Sequence, residues 1–210
     1  MNSNDERGIL ESIRNGKIYA DFMIATIHTH QSSSSAALSE GLRNGLKEGI
    51  DHAAPDFLIQ LAHDSIEAGA DMFVAHGVHV LRGIEIYHGK PIFYGLSNFV
   101  FQFGLQFGEG YDILANEKAL SGLEYPDVQD TVLTTSRFEG GQLAEVRLYP
   151  VELGGSRRPI SRMGIPLAAA PQDAQRILKA LQQYSQPFGT KIVIEDNVGV
   201  IRVAADQRGR

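Results

Sequence analysis

The stretch Gly69-Ala70-Asp71-Met72-Phe73-Val74-Ala75-His76-Gly77-Val78-His79 decides how this chain is read. Residues 70–75 form a short, largely apolar run without alternation, the pattern of a strand covered on both faces. The run ends abruptly in two histidines, His76 and His79. Upstream, Pro55 opens a helical stripe of Phe57, Leu58, Leu61, Ala62, Ile66 and Ala70, and Gly69 marks its end. Further upstream, residues 22–27 repeat the strand pattern: an apolar run without alternation, expected to be buried on both faces, ending in His28-Thr29-His30-Gln31. Two strands around a helix, each ending in paired histidines, point to an α/β fold. In open α/β sheets ligands bind beyond the carboxyl ends of the strands.

Outward from this unit, residues 5–17 read as a helix with Ile9, Leu10 and Ile13 on one side and Asn15-Gly16 as its stop. Residues 31–54, with the serine run 32–35, read as a long polar loop. A hairpin is expected over 83–94, turning at His88-Gly89, and a second over 130–149, turning at Glu139-Gly140-Gly141. Between them, residues 102–126 read as an irregular insertion. A Gly-, Pro- and Arg-rich connector (153–171) leads to an amphipathic helix over 171–184, then to short strands at 192–194 and 200–203. Arg157, Arg158 and Arg162 make the densest basic cluster, read as a solvated part of that connector.

Composition narrows the chemistry. The 210 residues include no cysteine, which removes disulfides, thiolate metal sites and cysteine nucleophiles. A net charge of −6 argues against a clamp on the phosphate backbone of nucleic acid. No apolar run approaches the roughly 20 residues that span a bilayer, and residues 1–17 show no apolar signal core. As written, the chain is therefore expected to be cytoplasmic, or envelope-associated if the true start lies upstream. Of the seven histidines, His28 and His30 stand two apart on one face of a strand end. His76 and His79 flank a glycine that lets both rings converge. Imidazoles in such pairs suit zinc, manganese or iron. A metal so held lowers the pKa of a bound water and polarises a phosphoryl or carbonyl oxygen. His63 reads as a helix-face residue and His88 as a turn residue; His52 is open.

The segments 56–63, 69–87 and 89–99 closely resemble the CapA family of poly-γ-glutamate capsule biosynthesis proteins. Those proteins are similar in fold to calcineurin-type metallophosphoesterases. The resemblance covers about residues 18–150. It implies a four-layer α-β-β-α sandwich lacking its N-terminal portion. Residues 1–150 would form the C-terminal part of the CapA-like domain, and 151–210 an extension packed on the same domain. It implies that His28, His76 and His79 hold a divalent metal (manganese, zinc or iron) in a site that is incomplete. His30 would be a ligand or general acid and Asn98 a catalytic, substrate-facing or loop-fixing residue. Gln31 and Glu85 would stand beside the ligands. Three positions depart from the family pattern: Ala75 and Ser97 replace glycines, and Gln31 replaces a glutamate of some members. No aspartate motif matching the family's upstream ligands precedes His28. The chain is thus expected to self-associate or to need a partner chain that supplies the rest. The implied function is a metal-dependent, phosphoesterase-like hydrolase in poly-γ-glutamate biosynthesis. Its substrate would be the polymer or a phosphorylated small molecule. The alternatives are a non-catalytic component of polymer assembly or export, and an inactive fragment.

Overall fold

A computed structural model of the chain describes residues 2–31, 51–101, 129–154, 162 and 164–203. The greater part of the expected loop, the whole expected insertion, and Arg157 and Arg158 lie outside the described residues. Helix α1 (Ser3–Lys17) is capped by Asn2, whose side chain accepts from the Asn4 N–H. Asp5 and Glu6 sit in its first turn and Arg14 and Lys17 in its last, as the helix dipole favours. Strand β1 (Ile24–Thr29), helix α2 (Asp56–Glu67) and strand β2 (Met72–Gly77) follow. Gly69, at φ +115°, lets the chain leave α2 for β2.

Strands β3 (Ile84–Tyr87) and β4 (Lys90–Phe93) form the first hairpin. His88 and Gly89 both have positive φ, the requirement of a two-residue type I′ turn. The first sheet has the order β1-β2-β4-β3, with β1 parallel to β2 and β2 parallel to β4. The second hairpin pairs β5 (Asp130–Glu139) with β6 (Gln142–Glu152) around Gly140 and Gly141, again both at positive φ. Short β7 (Leu167–Ala168) pairs with β6. Helix α3 (Pro171–Ser185), a 3₁₀ turn (Gln186–Phe188), β8 (Val193–Glu195) and β9 (Val198–Arg202) complete the chain. The second sheet runs β5-β6-β9-β8 and is antiparallel. Strand β6 crosses residue 150 and pairs with β9, so residues on both sides of that position share one sheet.

The protein is thus a mixed α/β structure with two sheets. Period-two alternation divides the faces of the first sheet. Phe73, Ala75 and Ile92 pack with Ile13 of α1 and with Leu58, Leu61, Ala62 and Ile66 of α2. Met72, Val74, Ile84 and Phe93 pack instead with Val146 and Leu148 of the second sheet and with Ile177, Leu178 and Leu181 of α3.

Strand β1 departs from the expectation of burial on both faces. Among the described residues it is an edge strand, and its exposure alternates. Ala25 and Ile27 pack toward the helices, while Ile24 remains 51% exposed. An apolar run reports composition, and only the presence of a neighbour on each face makes a strand interior. Among the described residues no helix is long and apolar enough to cross a membrane.

The first sheet meets the end of α3 tightly at β3. The Ile84 N–H donates to Ser185 Oγ at 3.0 Å, and a Cβ on Gly83 would collide with the Tyr184 carbonyl and the Phe188 ring. Gly83→Ala is expected to destabilise the fold by about 1–3 kcal/mol, because backbone rather than a mobile side chain must give way. Chemical denaturation of the two proteins checks this.

Candidate functional site

Parallel pairing of β1 with β2 sets His28 directly opposite His76. Their Nδ1 atoms lie 3.2 Å apart. His28 Nε2 lies 2.9 Å from His30 Nε2, so the His28 ring is engaged on both nitrogens. Each contact requires one nitrogen carrying hydrogen and one bare. The ring of His79 lies 5.4 Å from that of His30, centroid to centroid. All four sequence-predicted histidines are therefore brought to one end of the first sheet, His28 and His76 at the carboxyl ends of β1 and β2 and His30 and His79 just after them.

Gly77 makes this approach feasible. Its φ is +99°, and a Cβ there would stand 2.9 Å from His28 Nε2 and 3.0 Å from the Thr29 carbonyl. Ser97 has φ +62°, the left-handed region that explains the glycine of the family pattern at this position. Its hydroxyl donates to the His79 carbonyl at 3.3 Å.

Asn98 is buried, and its Oδ1 lies 2.7 Å from His79 Nδ1. The Nδ1–H donates to this carbonyl oxygen, which fixes the tautomer and leaves Nε2 as the bare, ligating nitrogen. His30 titrates below the usual histidine value, first through burial, then through the charges of His79 and His28. It is therefore neutral near pH 7, the form that can ligate.

Gln31 enters through its backbone. Its N–H donates to Thr29 Oγ1 at 3.2 Å, and its carbonyl accepts from Arg82 Nη2 at 2.9 Å. Glu85 lies on β3 under α2. His63 Nε2 donates to its carboxylate at 3.0 Å, and the Tyr94 hydroxyl donates at 2.5 Å. Its hydrogen bonds thus go to these two residues and not to the four-histidine cluster. His63, in turn, stacks on Tyr87 with ring centroids 3.8 Å apart.

Sequence reasoning missed Arg82. Its side chain is fully buried, and its Nε and Nη1 have no hydrogen-bond partner among the described residues. A lone arginine between Leu81 and Gly83 carries no periodic signal. What makes it notable is its long-range bond to the residue after His30.

Imidazole nitrogens are suitable donors for a borderline divalent ion. Here they meet in pairs. Among the described residues no three histidine, aspartate or glutamate side chains form a group that could hold a metal ion. The donor chemistry fits part of a cation site and not a complete one.

Residues 1–103 match the family described as bacterial capsule synthesis protein PGA_cap. An uncharacterized protein of Sinorhizobium fredii is 39% identical over 226 aligned positions, covering 96% of this chain and 46% of the relative. A probable polyglutamine synthesis accessory protein of Mycobacterium tuberculosis is 27% identical, covering 70% of this chain and 34% of its own length. The PGA biosynthesis protein CapA of Bacillus subtilis is 56% identical over 45 residues, which are 21% of this chain and 12% of that protein. The chain spans less than half the length of these relatives.

Two outcomes follow from the geometry. Gly77→Ala should cost about 1–3 kcal/mol and displace the His28 ring, read by thermal melting and by the His28 imidazole resonances. The lowered His30 pKa carries a sign. Below 6.5 the unfolded chain binds a proton that the folded chain resists, so stability rises with pH up to about that value and falls beneath it. Melting temperatures at pH 7.5 and 5.5 test this, and His30→Gln should flatten the difference.

Proposed function

We propose that this chain, which belongs to the CapA family of bacterial capsule synthesis proteins, acts in poly-γ-glutamate biosynthesis through a metal-dependent, phosphoesterase-like site. The fold would be that of a calcineurin-like metallophosphoesterase sandwich, with residues 151–210 as an extension on the same domain. The observation that carries the reading is the register of β1 and β2, which sets His28 against His76 at the ends of the strands.

In this reading His28, His76 and His79 hold a divalent ion of zinc, manganese or iron, with further ligands from outside the described residues. The ion supplies Lewis-acid polarisation of a phosphoryl or carbonyl oxygen and a more acidic bound water. Asn98 acts through His79, holding its Nδ1 proton so that Nε2 faces the site. His30 is poised as a fourth ligand or as the group that protonates a leaving oxygen. The backbone of Gln31 anchors the segment after β1 through Arg82. The substrate would be the glutamate polymer or a phosphorylated small molecule. A second copy or a partner chain would complete the site.

A second reading, a non-catalytic component of polymer assembly, draws support from one observation. Among the described residues no group of three or more histidine, aspartate or glutamate side chains that could hold a metal ion is formed.

Elemental mass spectrometry of the purified chain separates the two. On the order of one zinc, manganese or iron per chain, lost in His76→Ala and His79→Ala, supports the first. Asn98→Ala should then weaken metal affinity about 10–100-fold. A metal-free wild type that cannot be loaded by dialysis supports the second.

A further inference from the structure

Two stretches of chain supply the histidines, 28–31 at the end of β1 and 76–82 at the end of β2. The ladder between the strands accounts for His28 and His76, which are paired in it. That ladder ends at the Thr29–Gly77 pair and does not hold His30. A residue past the end of a strand keeps its backbone freedom unless other contacts remove it. The His30 ring nevertheless returns to His28, with Nε2 2.9 Å from Nε2.

Both polar backbone groups of Gln31 are engaged. Its N–H donates to Thr29 Oγ1 at 3.2 Å, which closes a hydroxyl-bonded turn with His30 at the centre. Its carbonyl accepts from Arg82 Nη2 at 2.9 Å. Neither partner is a mobile surface side chain: Thr29 is 9% exposed and Arg82 0%. Arg82 is itself fixed, its N–H donating to the Gly95 carbonyl at 2.9 Å. It follows His79 by three residues, so its bond to Gln31 ties the two histidine-bearing stretches together across 51 residues of sequence.

We infer that Thr29 is a positioning residue for His30, with Arg82 as its counterpart from the second stretch. The hydroxyl turns the chain after β1 so that the His30 ring comes back to His28. The guanidinium sets the same segment against the stretch that carries His79. This placement belongs to the chain alone. What it serves, a fourth imidazole beside a metal or a leaving group, rests on the metal-dependent reading proposed above.

The test compares the full chain with Thr29→Val, which keeps the branched shape and removes the hydroxyl, and with Thr29→Ser, which keeps the hydroxyl. Ring contacts are read in the metal-free protein by nuclear Overhauser spectroscopy, and zinc affinity by competition with a chromogenic chelator. Wild type and Thr29→Ser are expected to show contacts from His28 to both His30 and His76, whose ring centroids lie 4.8 and 5.0 Å from its own. Thr29→Val is expected to lose the His28–His30 contact, keep the His28–His76 contact and bind zinc about tenfold more weakly. Thr29→Ala repeats the comparison if Thr29→Val does not fold. Three results would overturn the inference: a variant without the hydroxyl that keeps the His28–His30 contact, one that loses the His28–His76 contact as well, or a Thr29→Ser protein that behaves like Thr29→Val. A wild type that takes up no zinc overturns the metal-dependent reading instead, and the ring contacts alone then decide the role of Thr29.

Discussion

The histidine cluster depends on the register between β1 and β2, and that register is pinned at the far end by Asp71. The Asp71 N–H donates to the Met23 carbonyl, and the Met23 N–H donates back to the Asp71 carboxylate, both at 2.8 Å. Lys17, at the end of α1, closes on the same carboxylate at 2.6 Å. From this anchor the pairs run in step from Ile24–Met72 to His28–His76. A slip of one residue would turn every side chain of β1 to the other face of the sheet and carry His28 away from His76. The ion pair is partly exposed, so its own contribution to stability is modest. Its consequence is geometric: hydrogen bonds at one end of the strands decide which imidazoles meet at the other.

The parts of the fold legible in sequence are those written in local chemistry. Both hairpins turn where His88-Gly89 and Gly140-Gly141 supply positive φ, and helix α2 stops where Gly69 does. The convergence of His28, His30, His76 and His79 was legible for a similar reason. Each pair is local: strand period puts His28 and His30 on one side, and Gly77, at φ +99°, gives the turn between His76 and His79 its freedom. What sequence hid was relational. The apolar run of β1 reads as an interior strand, yet its exposure depends on a neighbour that no local pattern reports. Glu85 was placed beside the ligands on resemblance, while its contacts are with His63, 22 residues away, and with Tyr94. Facing partners across α2 and β3 are fixed by packing, not by spacing.

Arg82 complicates the electrostatics of the histidine end. A buried guanidinium with two nitrogens that lack acceptors among the described residues is costly unless an anion stands close. Burial lowers its pKa, and the charge of Asp51 offsets this in part. The gain is positional: through Nη2 it holds the carbonyl of Gln31, one residue beyond His30. The fold thus accepts a poorly compensated cation to fix the segment on which His30 sits.

The same positive surroundings bear on what the cluster can bind. His30 is held neutral partly because its neighbours are themselves imidazoles that repel a further proton. Neutral imidazoles offer lone pairs but no negative charge, and a divalent ion placed among them would also feel the Arg82 guanidinium. Charge neutralisation would therefore have to come from carboxylates or from an anionic ligand arriving with the metal. An ion held by histidines alone would keep its full positive charge and attract anions strongly. That property suits the capture of a phosphoryl group or of a chain of carboxylates, and it ties metal occupancy to the anion. In the proposed metal-dependent reading, the four histidines would be the donor-rich side of a site whose negative side comes from beyond them.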